Sequence, residues 1–595
     1  MSTILQPFYK RNDWITCWIT FIVSLVVYTL TLQPTVGLED SGELIVASDF
    51  LGVPHPPGYP IWTLLTWFFQ WVFHSVTFHG QPNPAWGVNF FSAFSGAAAC
   101  GVIALLISRS GADILSSLRK ESEVLDIKTQ KTFCSIAGIT GGLLLAFGQG
   151  MWSQAVIAEV YTLNIFFQSL VLAFLYRWIC NPEQTKWLMI CGFIFGLGIT
   201  NHQTLLFMGL AIAVAVLCND LKMFSQRYLS QLFLIFGGLI IAFVGVYKIT
   251  LFIQIVGILL MILGGLLIRE RFLLKDFLVT GSLFIFLIGF NKVASESSSI
   301  TNWMWIAGPD QPGFWLWTLF ILIVPLLSMI FLPNGKTVGI TFLLIFLGLS
   351  FYFYMPFSSD QNPPINWGYP RTWEGFMHAV TRGQYERVKL AAVFTPRFLE
   401  QVGTYIFDLR SQFYAPIALL STLPLLIGWR TGRRNICWLI VTFIAFISVG
   451  LVFMILQNPK TDIQNLFIGR VQYIQSHAIY VLWLGYGLLM LMAILQTIVK
   501  NNPVTRIIGV VLVLLLPTLL IYKNYKDSGQ LKVVGGAEQN GHDFGWQFGN
   551  WQLRGINGIR DDFKYWYPNP DDFQNEWNNY PCKSYPPPME KNAIF

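Results

Sequence analysis

An all-α polytopic membrane protein is the fold class that this 595-residue chain predicts, and three observations carry the prediction. Hydrophobic residues make up 54% of the chain, its mean hydropathy is +0.54, and only 12% of its residues are charged, against about 25% in a soluble domain. Apolar runs of about 17 to 25 residues, the length a helix needs to cross a bilayer, recur about fifteen times. Lys and Arg gather in alternate loops between them, as the positive-inside rule requires. The formal net charge of +7 therefore reflects topology, because the basic residues form no stripe of the kind that binds nucleic acid.

Lys10 and Arg11 precede the first span, 14–32, which lacks a small-residue cleavage site and is retained with its N-terminus in the cytoplasm. Residues 33–60 form an outer loop. Next comes 61–77, whose Trp- and Phe-rich part 61–73 is too short to span and reads as an interfacial helix on the outer surface. The span 86–107 returns to a basic loop with Arg109, Arg119, Lys120, Lys128 and Lys131. Spans at 133–149 and 162–179 flank a tight outer turn at 151–161. The run 187–217 is interrupted at Asn201-His202-Gln203 and becomes a short helix out and another back.

A hairpin at 229–247 and 249–268, a span at 277–290, an outer loop at 291–313, and spans at 314–332 and 338–355 follow. Residues 356–413 are a long outer loop with a helix-like piece at 373–390, and spans at 414–429, 436–456, 474–495 and 507–522 complete the bundle. This topology leaves about 20 Lys/Arg and about 9 Asp/Glu inside, against about 18 and about 22 outside. A transmembrane domain, 1–522, and an extracytoplasmic tail, 523–595, are expected. The tail is rich in Gly, Asn, Asp, Trp and Tyr, has no helical apolar period, and reads as a short irregular segment opening a truncated soluble domain. Of eight cysteines, seven lie in or beside apolar spans and Cys582 stands alone; without a CxxC, neither a zinc site nor a disulfide framework is expected.

Five clusters fall on the outer face: Glu39, Asp40 and Glu43 with His55; Glu159; Asn201-His202; Asn366-Trp367-Gly368; and the stretch from Arg382 to Arg387. Ionisable groups beside a membrane are expensive and point to function. Each cluster also has a plainer role: a solvated loop, a helix cap at Glu159, a bundle hydrogen bond at His202, surface charges at Arg382 and Arg387. A carboxylate in a partly desolvated groove serves as a general base, and Arg holds a phosphate leaving group. Together with an apolar wall for a lipid, these parts describe a transferase with a lipid-phosphate donor.

The strings Glu39-Asp40-Ser41-Gly42-Glu43-Leu44, Leu51-Gly52-Val53-Pro54-His55-Pro56-Pro57-Gly58-Tyr59-Pro60, Asn89-Phe90-Phe91-Ser92-Ala93 and Ala158-Glu159-Val160-Tyr161-Thr162-Leu163-Asn164 resemble the GT-C superfamily membrane glycosyltransferases of the protein O-mannosyltransferase-like family. The resemblance covers most of residues 14–500. It implies a GT-C-type transmembrane helix bundle with outer-face interfacial helices, an acidic catalytic motif in the first outer loop, and a polyprenyl-phosphate sugar as donor. It makes Asp40 the base that deprotonates the acceptor hydroxyl, with Glu39 or Glu43 in support, although three carboxylates within about one turn leave the choice open. It makes Glu159 a second acidic group near the acceptor or, in some superfamily members, a metal. Arg382 and Arg387, with His55 and His202, become the donor-phosphate contacts. A divalent metal is compatible with these residues but not required by the sequence, and no cofactor is fixed by it.

The expected reaction is inverting transfer of a hexose, mannose by the resemblance, from a polyprenyl phosphate to a hydroxyl such as Ser or Thr of an exported protein. Transfer to a glycan or lipid-linked acceptor is a second reading. A transporter or flippase of a lipid-linked substrate is a third; it favours inverted repeats and charges at mid-membrane, whereas the charges here gather at one face. The expected setting is a bacterial inner membrane, with lipid donor, acceptor and membrane lipid as partners and no nucleic acid.

Overall fold

The computed structural model describes residues 7–118, 124–219, 335–385, 391–393, 395–460, 469–528 and 536–581, with two isolated helical positions at 326 and 329. The spans expected between 229 and 332 lie outside the described residues. Among those described, seven helices are long and apolar enough to cross a membrane, or up to nine if each of two bent pairs counts as one span. The chain is an all-α, multi-pass membrane protein.

The 34-residue helix Pro84–Ser117 is the hub, with Arg11–Leu30, Ile127–Ala146, Tyr161–Cys180 and Ile474–Ile498 all against it. Without a hydrophobic driving force inside lipid, helices associate where small residues let backbones approach. Gly138 and Gly142 do this: a Cβ on Gly138 would stand 2.6 Å from the Ala104 carbonyl oxygen, and one on Gly142 2.9 Å from that of Cys100. Polar side chains then tie the helices together, as when Tyr28 Oη donates to the Ala146 carbonyl (2.7 Å). Asp13, Arg109 and Asp113 meet at one end of the bundle, where Ser108 Oγ donates to Asp13 (2.7 Å) and Arg109 Nη1 lies 2.6 Å from Asp113.

At the other end the loop after the first helix is bonded to the hub. Asn89 Nδ2 donates to the carbonyls of Gln33 (2.8 Å) and Thr35 (3.1 Å), and Asn83 Nδ2 to that of Pro34 (2.7 Å). The run broken at Asn201 is two pieces, Lys186–Ile199 and a 3₁₀ turn Gln203–Phe207 leading into Met208–Asn219.

Several boundaries differ from the sequence reading, each for a local reason. The interfacial helix, expected over 61–77, is Pro60–Val72; beyond it Thr77–Phe78 and Gln81–Pro82 form a small hairpin, because His79 and Gly80 both take positive φ and make the tight turn that pairs strands. The turn 151–161 contains a helix, Gln149–Ala155, bent 68° from Ile127–Ala146. In the segment expected as a long outer loop the helix-like piece is Trp373–Val380, shorter than 373–390, and a further helix, Pro396–Gln412, follows a Thr395 whose hydroxyl accepts from the Phe398 N–H. That helix turns by 105° into 415–430.

The tail, expected irregular, holds three helices: Phe544–Arg554, Ile556–Trp566 and Pro570–Asn579. Aromatic contacts such as Phe563 with Trp577 and Tyr580 join them in place of aliphatic packing. The tail lies on the loop after the first helix: the Gln539 N–H donates to the Thr31 carbonyl (3.0 Å), Gln33 Nε2 donates to that of His542 (3.2 Å), and Gly545 touches the backbone of Gly37. A β-branched side chain has no room there. Gly545→Val should therefore release the tail to protease, speeding its cleavage about tenfold or more while the bundle keeps its melting point; unchanged cleavage would show that the tail is held elsewhere.

Candidate active site

Asp40 is the N-cap residue of the helix Ser41–Asp49, yet its side chain makes no capping bond. The carboxylate is left 59% exposed, with one oxygen 3.9 Å from His55 Nε2. Glu39 precedes it with φ +61°, in the left-handed region that a non-glycine residue adopts at a cost of about 1 to 3 kcal/mol. Burial, and then the charge of Asp40, raise the Glu39 carboxyl above its ordinary value.

Glu43 looks inward. Its Oε1 accepts from the His55 backbone N–H (2.5 Å) and faces His55 Nδ1 (3.2 Å), while His55 Nε2 meets the Tyr59 hydroxyl at 2.9 Å. This network puts the proton on Nδ1. His55 thus braces the Pro-rich turn, with both ring nitrogens engaged. Asp40, Glu43 and His55 offer ligand atoms within 4.8 Å of one another, a donor set of the kind divalent cations accept. His55 Nδ1 faces Glu43 and Nε2 meets the Tyr59 hydroxyl, so an ion bound here would have to displace the Tyr59 contact.

The turn is held from outside by the segment around Asn366. The Val53 N–H donates to the Ile365 carbonyl (2.9 Å) and the Trp367 N–H to that of Val53 (3.0 Å), while Tyr354 Oη donates to the Gly52 carbonyl (3.0 Å). Asn366-Trp367-Gly368 therefore joins the site through its backbone, and residues 362–369 line a surface hollow of about 550 Å³ beside it.

Glu159 forms the floor. It is 8% exposed, and Ser92 fixes its backbone by donating to its carbonyl (3.2 Å) and accepting from its N–H (3.3 Å), while Trp62 Nε1 donates to the same carbonyl (3.1 Å). The quoted Asn89-to-Ala93 string thus has two tasks: Asn89 holds the acidic loop and Ser92 holds Glu159. Burial, and then the charges of Asp40 and Glu39, push the Glu159 carboxyl from 4.5 up to about 8. Since the folded value lies above the ordinary one, this group favours folding below 4.5 and loses that contribution as pH rises to about 8. Glu159→Gln should therefore melt higher than the wild type by a margin that grows between pH 5 and 8 and then levels; a pH-independent margin would show that Glu159 is ionised throughout.

His202 stacks on Tyr59 (6.3 Å, 15°) beside Tyr161 (5.4 Å), and its Nδ1 lies 2.6 Å from Thr204 Oγ1. Burial, then Arg382 and His55, hold it down to about 3, so this ring offers a hydrogen bond and no charge. Arg382 follows the helix Trp373–Val380 with φ +57°, its guanidinium 4.4 Å above the Tyr385 ring. Gln203 Nε2 draws this turn in by donating to the Val380 carbonyl (2.6 Å), and Arg382 acts electrostatically on Tyr59, Tyr161 and His202. Arg387 lies outside the described residues. The structure thus brings Glu39, Asp40, Glu43, His55, Glu159, His202 and Arg382 to one end of the bundle. Tyr59 and Tyr161, which sit at the centre, lay in the quoted strings but were not singled out.

Residues 40–225 match the family model described as the protein O-mannosyl-transferase TMEM260 N-terminal domain. The chain is 30% identical over 200 residues to mouse protein O-mannosyl-transferase TMEM260 (33% of this chain, 24% of that protein), and 25% identical over 198 residues to its Dictyostelium discoideum counterpart (31% and 21%). The matched stretch spans about a quarter of the length of these curated relatives. No solved structure matches the chain.

Proposed function

We propose that the chain is a GT-C-type glycosyltransferase that moves mannose from a polyprenyl-phosphate donor to a hydroxyl of an exported protein. The observation that carries the reading is the meeting of an exposed carboxylate, Asp40, and a buried second acid, Glu159, both in the segment that matches the O-mannosyl-transferase model, with a cation, Arg382, brought in from beyond that segment.

Asp40 accepts the proton of the acceptor hydroxyl as its oxygen forms a bond to the sugar's anomeric carbon. The bond from that carbon to the phosphate oxygen breaks, and its electron pair leaves on the lipid phosphate. Arg382 stabilises the charge that develops there, more strongly than in water because the surrounding tyrosines displace solvent. Glu159, largely protonated near neutral pH, limits repulsion beneath Asp40 and leaves a hydrogen bond for the sugar or acceptor. A single displacement inverts the anomeric centre. The transmembrane domain, 1–522, houses this chemistry at its outer face, and the tail supports the loop. An exported protein is favoured over a glycan or lipid-linked acceptor because both relatives are named for transfer to protein.

The donor class is tested by offering the purified chain polyprenyl-phosphate mannose, polyprenyl-phosphate glucose and a nucleotide-linked mannose with hydroxyl-bearing peptides. Transfer from the first alone supports the reading; transfer from the nucleotide sugar would refute the lipid donor.

A further inference from the structure

A second polar centre lies at the same end of the bundle and plays no part in the chemistry above. The helix Pro396–Gln412 has an unusual division of residues: Leu399, Ile406 and Phe407 are exposed beside the charged Arg397, Glu400 and Arg410, while Gln401, Tyr405, Asp408 and Gln412 are buried. Exposed apolar and charged residues side by side suit a helix lying at a membrane interface; the buried polar stripe needs another explanation. Asp408 Oδ1 accepts from Arg470 Nε (3.1 Å) and Gln412 Nε2 (3.3 Å), and its other oxygen lies 3.2 Å from His477 Nε2. Arg470 is 39% exposed, and among the described residues its two terminal nitrogens have no partner.

Around this centre stand buried polar atoms without partners among the described residues: Gln401 Oε1, Gln475 Nε2 and Gln168 Oε1. Unsatisfied groups at membrane depth cost several kcal/mol each unless they line a wet cavity or face a polar ligand. Two of them, Gln475 and Gln168, lead on toward the candidate active site. Gln168 Nε2 donates to the Gln475 carbonyl (2.8 Å) next to His477, and Asn164, one turn along the same helix, donates to Thr204 Oγ1 (3.2 Å), which holds His202. Polar side chains are thus spaced between Arg470 and the candidate active site.

We propose that Arg470, oriented by Asp408 and His477, is the docking point for the phosphate of the lipid carrier as it enters from the membrane or leaves after transfer. The proposal rests on the lipid-phosphate donor reading above. Asp408 takes the Nε side of the guanidinium and leaves the two-nitrogen end for a phosphate, the geometry in which Arg grips that group best. The carrier's chain then lies in lipid along Leu399, Ile406 and Phe407.

The test is binding of a long-chain polyprenyl monophosphate to the purified full chain, with the matching polyprenol and inorganic phosphate as controls. The monophosphate should bind, both controls should bind far more weakly, and Arg470→Gln should weaken the monophosphate about tenfold or more, with partial recovery in Arg470→Lys and no change for the exposed Lys460→Gln. Unaltered affinity in a folded Arg470→Gln, or a loss seen only in Arg382→Gln, would overturn the docking site while leaving the donor reading intact. Inorganic phosphate binding as tightly as the lipid would overturn the carrier as occupant. No binding of the monophosphate by the wild type would remove the donor reading and this site together.

Discussion

Asp40→Asn is expected to lower mannosyl transfer by about 10²- to 10⁴-fold, the range a positioned general base contributes, without unfolding the chain. The carboxylate is 59% exposed and makes no capping bond, and Asn is as good an N-cap residue as Asp, so the helix Ser41–Asp49 keeps its start. Single-turnover transfer, with thermal melting alongside, checks both halves. Glu43→Gln makes the contrast: Glu43 holds the His55 backbone and ring, so its loss should loosen the Pro-rich turn and lower the melting point. If Asp40→Asn transfers at the wild-type rate, the base is another group, with Glu39 the nearest carboxylate in the chain.

Arg382→Gln should lower kcat by about 10²- to 10³-fold, because a fixed donor aimed at developing charge is worth that much in a site shielded from water. Acceptor KM should change little. Arg382→Lys should recover only part, since an ammonium lacks the planar fork and the left-handed backbone at φ +57° sets where that fork points. A kcat within about twofold of wild type in Arg382→Gln would remove Arg382 from the transfer step.

The acidic loop, the Pro-rich turn, Glu159 and the break at Asn201 were legible from sequence because each departs from the apolar background at a fixed spacing. Other parts were hidden for physical reasons. Asn366-Trp367-Gly368 works through main-chain pairing with Val53, which leaves no side-chain pattern. Asp408 and Arg470 are 62 residues apart, and nothing local links them. The helix after Thr395-Pro396 did carry a signal, a capping hydroxyl followed by Pro at the first helical position, masked by a run whose polar residues face inward. The tail helices were missed because rings, where aliphatic side chains are usual, form their contacts. For His55 the sequence leaves a structural and a donor-binding role open, because its contacts with Glu43 and Tyr59 are formed only in the folded turn.

The most direct measurement is a reaction of the purified full chain with polyprenyl phosphate bearing labelled mannose and a Ser/Thr peptide, with the product read by mass and anomeric configuration. Mannose on the hydroxyl with the configuration inverted relative to the donor, lost in Asp40→Asn, is the expected result. Labelled lipid that binds and stays unreacted, or a product of retained configuration, would contradict a single displacement driven from Asp40.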